Sequence, residues 1–429
     1  SLPYRLDDAR GHFAFGPNEK GLSQLAIQSF EGRHGEMLTA VSGYQTTESN
    51  GDWRTRFEKF AVTNLTPDAE FLTSLAAMPG LRQVFENLDP NQTLRMDGVM
   101  ELRGTPDPAD AVTAAWDLDT YFNNGTIHTG LDYKDLKGKV AARGTWDGEN
   151  ADIRGFVDLK SARILDYELN DIRGPFRVRN GVLMFGAGDT ERVRPPDALD
   201  PRERLSAKLF GGVILLDGRA TLTEEPQYHV LMNLQNARLE RFAALHAPQQ
   251  RDLRGLLNGW INLQGQGSSP RDVTGRGQMQ IKPAALLNVP VVLQMYRSLR
   301  LATPEESTFS DAFFDFDVRN AAFYFKQIFL EGDTISFRGR GSVTFNDDVN
   351  LSFYSMLPRN QLPPIPIFKE LLGEATKGWV GIEVRGKLSH PKTEVKAVPL
   401  LDDALKAFLG ALPQPVFPIR QGLLPRGHQ

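Results

Sequence analysis

Apolar residues recur at every second position along most of this chain, in runs cut by glycine and asparagine turns, and that period limits what it can fold into. From Phe313 to Tyr354 the pattern is almost unbroken. Phe314, Phe316 and Val318 alternate with Asp315, Asp317 and Arg319; Phe323 and Phe325 flank Tyr324, and Ile328 and Leu330 flank Phe329. Ile335 and Phe337, then Val343 and Phe345, then Val349, Leu351 and Phe353 continue it. Asn320, Gly332-Asp333, Gly339 to Gly341 and Asn346 to Asp348 separate the runs. A two-residue period places one set of side chains on one face of a sheet and the other set on the opposite face. With turns this short, the pattern predicts an antiparallel meander with one apolar and one polar face.

The same grammar appears upstream. Phe176 and Val178 lead through Asn180-Gly181 to Val182 and Met184. Leu205, Ala207 and Leu209 lead through Gly211-Gly212 to Val213 and Leu215, then Asp217-Gly218 to Ala220 and Leu222, then Val230, Met232 and Leu234. Short motifs repeat. Asp135-Leu136-Lys137-Gly138 returns as Asp252-Leu253-Arg254-Gly255, and Asp152-Ile153-Arg154-Gly155 as Asp272-Val273-Thr274-Gly275. Gly259-Trp260-Ile261 is echoed by Gly378-Trp379-Val380. Fixed-offset similarity is the mark of a repeat architecture. It suggests modules at 1–97, 98–248 and 249–400, followed by an amphipathic capping helix and a Pro-rich tail over 401–429.

Short helices are expected between the strands. One starts near Thr66, with Phe71, Leu72, Leu75 and Met78 as its stripe; a second carries Leu239, Phe242 and Leu245; a third carries Ile367, Leu371 and Leu372; an insert spans Pro290 to Leu301. Residues 187–204 are polar and rich in both charges, which predicts a mobile loop. Leu401, Ala404, Leu405, Phe408 and Leu412 fall on one helical face, which predicts a helix that caps the open end of the last sheet.

Composition narrows the function classes. The net charge is −4, so the basic footprint of a nucleic-acid binder is missing. There is no cysteine, which removes disulfides and cysteine metal sites. No run of about 18 apolar residues could span a bilayer as a helix. The chain opens on Ser1, and the expectation is a processed form or a fragment with an anchoring segment upstream. The seven histidines are scattered without metal-ligand spacing. Gly265-Gln266-Gly267, Gly275-Arg276-Gly277 and Gly339-Arg340-Gly341 lack the third glycine and following helix of a nucleotide loop, so they read as turn or bulge glycines. Asp347-Asp348 and Asp402-Asp403 read as a hairpin turn and a helix start. No catalytic residue, metal or cofactor is expected.

What remains is apolar surface. The 26 phenylalanines need somewhere apolar to go. Two readings stand at this point: the alternating faces close into a core, or they line an open trough that holds acyl chains.

The segment from Leu253 to Pro391 resembles the AsmA-like C-terminal region shared with TamB-like envelope proteins. The resemblance is carried by Gly259-Trp260-Ile261-Asn262-Leu263, by Gly275-Arg276-Gly277 and by the apolar segment Leu286 to Leu301 with Pro290. It continues through the Phe-rich meander 313–354, Gly378-Trp379, and Val384-Arg385-Gly386-Lys387-Leu388 with Pro391. Residues 98–248 match more loosely, and 1–97 more loosely still. The resemblance implies repeated antiparallel sheets curled into an elongated, taco-like groove. It also implies a periplasmic location, a tether to the inner membrane, and phospholipid transport between membranes. The groove lining is then expected at Phe314, Phe316, Val318, Phe323, Phe325, Ile328, Leu330, Ile335, Phe337, Val343, Phe345, Leu351 and Phe353, with Val178, Met184, Leu209, Leu215, Leu222 and Met232 before them. Expected partners are phospholipid acyl chains, with a membrane surface and envelope proteins as further candidates. The alternative is a scaffold for outer-membrane protein assembly that pairs through exposed strand edges.

Overall fold

The computed structural model describes residues 4–76, 82, 85–107, 110–128, 132–164, 166–186, 204–246, 252–299, 309–332, 335–358, 377–398 and 403–411. The protein is mainly β, at 68% strand and 11% helix, as the alternation requires. The 21 strands among the described residues belong to one sheet, and every pairing described is antiparallel. Two compact units divide it. The first gathers the described residues up to 186 together with 204–209 and 215–228; the second gathers 210–214 and the described residues from 229 onward. The expected module boundary at 97/98 falls inside a strand.

The first unit is built on a run of long hairpins: β1 (Asp7–Pro17), β2 (Ser23–His34), β3 (Met37–Thr47), β4 (Trp53–Leu65), β5 (Leu94–Gly104), β6 (Thr113–His128), β7 (Asp132–Trp146), β8 (Ala151–Ile164) and β9 (Tyr167–Arg179). Each pairs with the next in sequence. Short strands β10 (Val182–Phe185) and β11 (Leu205–Leu209) both pair with β9, and β10 also pairs with β12 (Gly212–Thr221). Helix α1 (Ala69–Ser74) lies in the β4–β5 connection. Its N-cap is Asp68, whose carboxylate accepts from the Phe71 amide; the sequence placed the start at Thr66.

The second unit holds β13 (Gln227–Arg238), α2 (Leu239–His246), β14 (Arg254–Gln266), β15 (Thr274–Ala285), α3 (Pro290–Ser298), β16 (Asp311–Arg319), β17 (Ala322–Glu331), β18 (Phe337–Thr344), β19 (Asp348–Pro358), β20 (Lys377–Lys387), β21 (His390–Val398) and α4 (Asp403–Gly410). β14 through β21 pair in sequence order. The two expected helices at 239–245 and 290–301 are present; the one at 367–372 and the tail at 413–429 lie outside the described residues.

A backbone device recurs in the hairpins. Gly98 in β5 holds φ 153°, and a Cβ there would collide with the carbonyl oxygen of Asp117 across the strand pair. Only glycine fits such a close approach. Gly43, Gly138 and Gly174 repeat the conformation in β3, β7 and β9. Register shifts lie at or beside several of them, between Ser42 and Gly43 and between Lys137 and Gly138. Such bulges bend a strand and sharpen its twist.

Candidate functional site

Register assigns every strand residue to one of two faces. In the first unit Phe57 pairs with Met100, Met100 with Trp116, and Trp116 with Gly144. Val140 pairs with Val157 and Ile153 with Val178. These residues share an apolar face with Ile27, Phe30 and Val41 of β2 and β3. The opposite face is charged. Lys139 reaches Asp119 at 2.9 Å, Arg173 reaches Asp158 at 3.0 Å, and Arg177 reaches Asp152 at 2.7 Å, each across a strand pair. Glu101 is the centre of the densest cluster, with Arg54 at 2.6 Å, Arg103 at 2.7 Å and Arg56 at 3.3 Å. Burial alone would raise its carboxyl, but the hydrogen bonds from Arg54 and Arg103 outweigh that and hold it below the usual carboxylate range.

Coverage of the apolar face differs along the strands of the first unit. At one end it is sealed. Leu65, Leu94, Phe122, Leu136 and Leu159 are buried there, with Leu75, Phe85 and Leu88 of the β4–β5 connection. Phe71 meets Phe85 edge-on at 4.9 Å, and Leu88 bridges to Ile127. At the other end sit Trp53, Trp116 and Trp146, all half-buried. The Trp116 ring lies flat over Gly144, where any Cβ would enter the ring, and the Trp53 indole donates to the Thr105 carbonyl at 3.2 Å. Between the two ends Ile27, Phe30, Val41, Phe57, Met96, Met100, Val140, Val157 and Phe176 are each half-buried. Of these the sequence pattern singles out only Phe176, as a strand residue, and none as groove lining. Their strands alternate as the later ones do, but with single apolar residues set among Thr, Gly and Ala, so the signal is diluted.

The second unit treats the same face differently. Eleven of the residues expected to line a groove do share one face by register: Phe314, Phe316, Val318, Phe323, Phe325, Ile328, Leu330, Phe337, Val343, Leu351 and Phe353. Most of them are core. Phe316, Val318, Ile328, Leu330, Ile335, Phe337, Leu351 and Phe353 are each at most 5% exposed. Helix α3 supplies the opposing layer. Val291, Val292, Met295, Tyr296 and Leu299 are buried in the same cluster as Ile328, Leu330, Phe337, Val380, Ile382 and Val384. Tyr296, Phe309 and Phe337 form a ring triad with centroids 6.1–6.4 Å apart. Burial pushes the Tyr296 hydroxyl up to about 12. The hydroxyls of Ser298 and Thr393 tie the helix to β21. Away from α3, Phe314, Phe323, Phe325 and Val343 are half-buried, and Phe345, just beyond β18, is 41% exposed.

The earlier group of expected lining residues is scattered. Val178 is on the apolar face, opposite Leu183. Met184 is not: it pairs with Arg177 on one side and Arg219 on the other, and Leu183 and Phe185 take the apolar positions. Leu215 shares the alternation of Arg219 in β12, Leu222 is 37% exposed, and Leu209 is half-buried at the end of β11. Met232 shares the alternation of Leu234, which packs on the core. Arg204, expected at the end of a loop, is instead 1% exposed, and its Nε donates to Asp217 at 2.5 Å.

Helix α4 also departs from expectation. Expected to cap the open end of the last sheet, it packs instead on the charged face of β17 to β19. Phe408 meets Tyr354 edge-on, Arg340 stacks over Phe408 at 5.4 Å, and Arg338 and Gln327 both donate to the Ala411 carbonyl. Those four partners belong to the face opposite Phe353 and Phe337.

Groups with potential chemistry are dispersed. Among the described residues no three His, Asp or Glu side chains converge as a metal site, and no helix is long and apolar enough to cross a membrane. His229 bonds Asn262, His128 bonds Asp132, and His34 lies 3.7 Å from Glu70. No family model matches the chain, and no curated protein matches it significantly.

Proposed function

We propose that this protein binds acyl chains non-enzymatically, on the apolar face of the first unit, and supports phospholipid movement between membranes. The observation that carries the reading is the half-buried apolar strip running across β2 to β9, sealed at the α1 end and bordered by Trp53, Trp116 and Trp146 at the other. Water contact with that much apolar surface is unfavourable, and an acyl chain laid on it gains about 0.8 kcal/mol per buried methylene. No recognition chemistry is needed, which agrees with a strip formed by similar side chains rather than one polar cluster. Indoles at the open end suit a lipid's boundary between tail and headgroup.

A cell-envelope location, periplasmic and tethered to the inner membrane, rests on the resemblance of residues 253–391 to AsmA-like proteins. Phospholipid is the acyl-chain ligand that such a location offers. Native mass spectrometry and lipid extraction of the purified chain test the reading. Bound phospholipid in the wild type, reduced in a Phe57→Gln, Val140→Gln variant of unchanged circular dichroism, supports it. A chain that purifies free of lipid and takes up none from phosphatidylethanolamine vesicles contradicts it.

A further inference from the structure

The α1 segment shuts one end of the apolar face of the first unit, and a histidine stands where it meets the sheet. His34 is the last residue of β2, with its side chain 23% exposed. Its Nδ1 lies 2.8 Å from the backbone carbonyl oxygen of Arg5. A carbonyl oxygen only accepts, so Nδ1 carries the ring proton. In the neutral ring Nε2 is then a bare lone pair, and it faces the Glu70 carboxylate of α1 at 3.7 Å. Two acceptors opposite each other form no hydrogen bond. A proton on Nε2 turns the same pair into a donor and an acceptor of opposite charge.

The surroundings suit the charged ring. Tyr4 and His34 have ring centroids 4.4 Å apart at an interplanar angle of 31°, and an imidazolium is attracted to an aromatic face. Tyr4 also meets Phe71 of α1 edge-on at 5.8 Å, so tyrosine, histidine and helix form one contact. The other charged and titratable groups come from three places. Tyr4 and Arg5 precede β1, Arg33 and Glu36 flank His34 in sequence, and Asp68 and Glu70 belong to the N-cap and first turn of α1. Burial, with the charges of Asp68 and Glu70, pushes the Tyr4 hydroxyl up to about 12, so it keeps its proton where histidines titrate. Arg5 is engaged by Asp7 at 2.9 Å, and Asp68 accepts from the Phe71 amide at 2.8 Å.

We propose that His34 is a proton-operated clasp on α1. The charged imidazole draws Glu70 in and tightens the closed end of the apolar face; the neutral ring releases it. The contact is present at acid pH and is lost as pH rises through the range in which imidazoles lose their charge. Glu70 is exposed, so the effect is local and modest. The clasp stands apart from acyl binding, because it is read in the docking of α1 itself.

Hydrogen exchange of the full chain at about pH 5 and about pH 8, corrected for the intrinsic pH dependence of exchange, tests it. The reporters are the amides of Phe71, Leu72, Leu75 and Ala76, which bond within α1 and its caps. They should be about two- to fivefold better protected at the lower pH. His34→Gln and Glu70→Gln should each abolish that difference and leave protection in β16 to β20 unchanged. A second measurement needs no variant: nitrogen chemical shifts of the neutral His34 ring should place its proton on Nδ1. Equal protection at both pH values, a difference of opposite sign, a difference that survives either substitution, or a proton on Nε2 in the neutral ring would each overturn the proposal.

Discussion

The two units present the same kind of face and finish it differently. In the second, α3 descends from the β15–β16 connection and closes the face, so that Phe337, Val380, Ile382, Val384, Met295 and Leu299 have no exposure at all. In the first, the only long connection described over this face, between β4 and β5, reaches one end and leaves most of the middle only half-buried. Alternation builds a sheet face in both cases; what lies in one connection decides whether that face becomes core or remains a surface. Density follows the same line. The sealed face carries Phe, Ile, Leu or Val at most inward positions of β16, β17, β19 and β20, with Gly339 and Gly341 between them in β18, whereas the open face intersperses Gly, Ala and Thr more widely.

The largest effect should come from charging the sealed face. Phe337→Ala removes a ring packed on Tyr296 and Phe309 and should cost about 3–5 kcal/mol. Phe337→Asp adds a buried, unpaired carboxylate and should leave the second unit unfolded at room temperature, seen as a lost or split transition in urea. A Phe337→Asp protein with the wild-type transition would mean that the face is not sealed.

Strand positions were the most readable part of this chain, since alternation and turn residues report directly on backbone pairing. The β17 bulge was legible too. Phe325 and Ile328 are an odd number of residues apart yet share a face, because the register shifts between them. Met184 was misread although the information was there. Asn180-Gly181 forms a two-residue turn, so Val178 must pair with Leu183 and not with a residue of Met184's parity. Closure was not legible. Whether α3 lies on the face or beside it depends on packing across a long connection, which no local period encodes. The placement of α4 failed for a related reason: its stripe shows that it docks, but Arg338, Arg340 and Tyr354 on a nominally polar face supply the site.

Next in size is Gly98→Val. The positive φ and the carbonyl of Asp117 leave no room for a side chain, and roughly 1–3 kcal/mol should be lost from the first unit. A transition that instead moves for the second unit alone would break the assignment of separate cores.

The charged face offers a pH-dependent test. Glu101 titrates below its ordinary value in the folded chain, so its contribution is fully present above the unfolded carboxylate range. It is lost as pH falls through the lower, folded value. Glu101→Gln should cost roughly 1–3 kcal/mol at neutral pH and flatten the acid limb of the stability curve. An unchanged limb would place the acid sensitivity elsewhere.

The smallest stability effect should come from the open strip. Phe57→Gln and Met96→Gln remove half-buried side chains, and each should cost less than about 1.5 kcal/mol. Their consequence should appear in acyl binding instead, with affinity reduced several-fold. A large loss of stability without loss of binding would turn the open strip into ordinary core.

The difference between the two faces is tested most directly by hydrogen exchange of the full chain with and without a palmitoyl probe. The account predicts slowed exchange across β2 to β9, strongest between the α1 end and the three indoles, and no change in β16 to β20. Uptake that protects β16 to β20 instead, or no uptake at all, would contradict it.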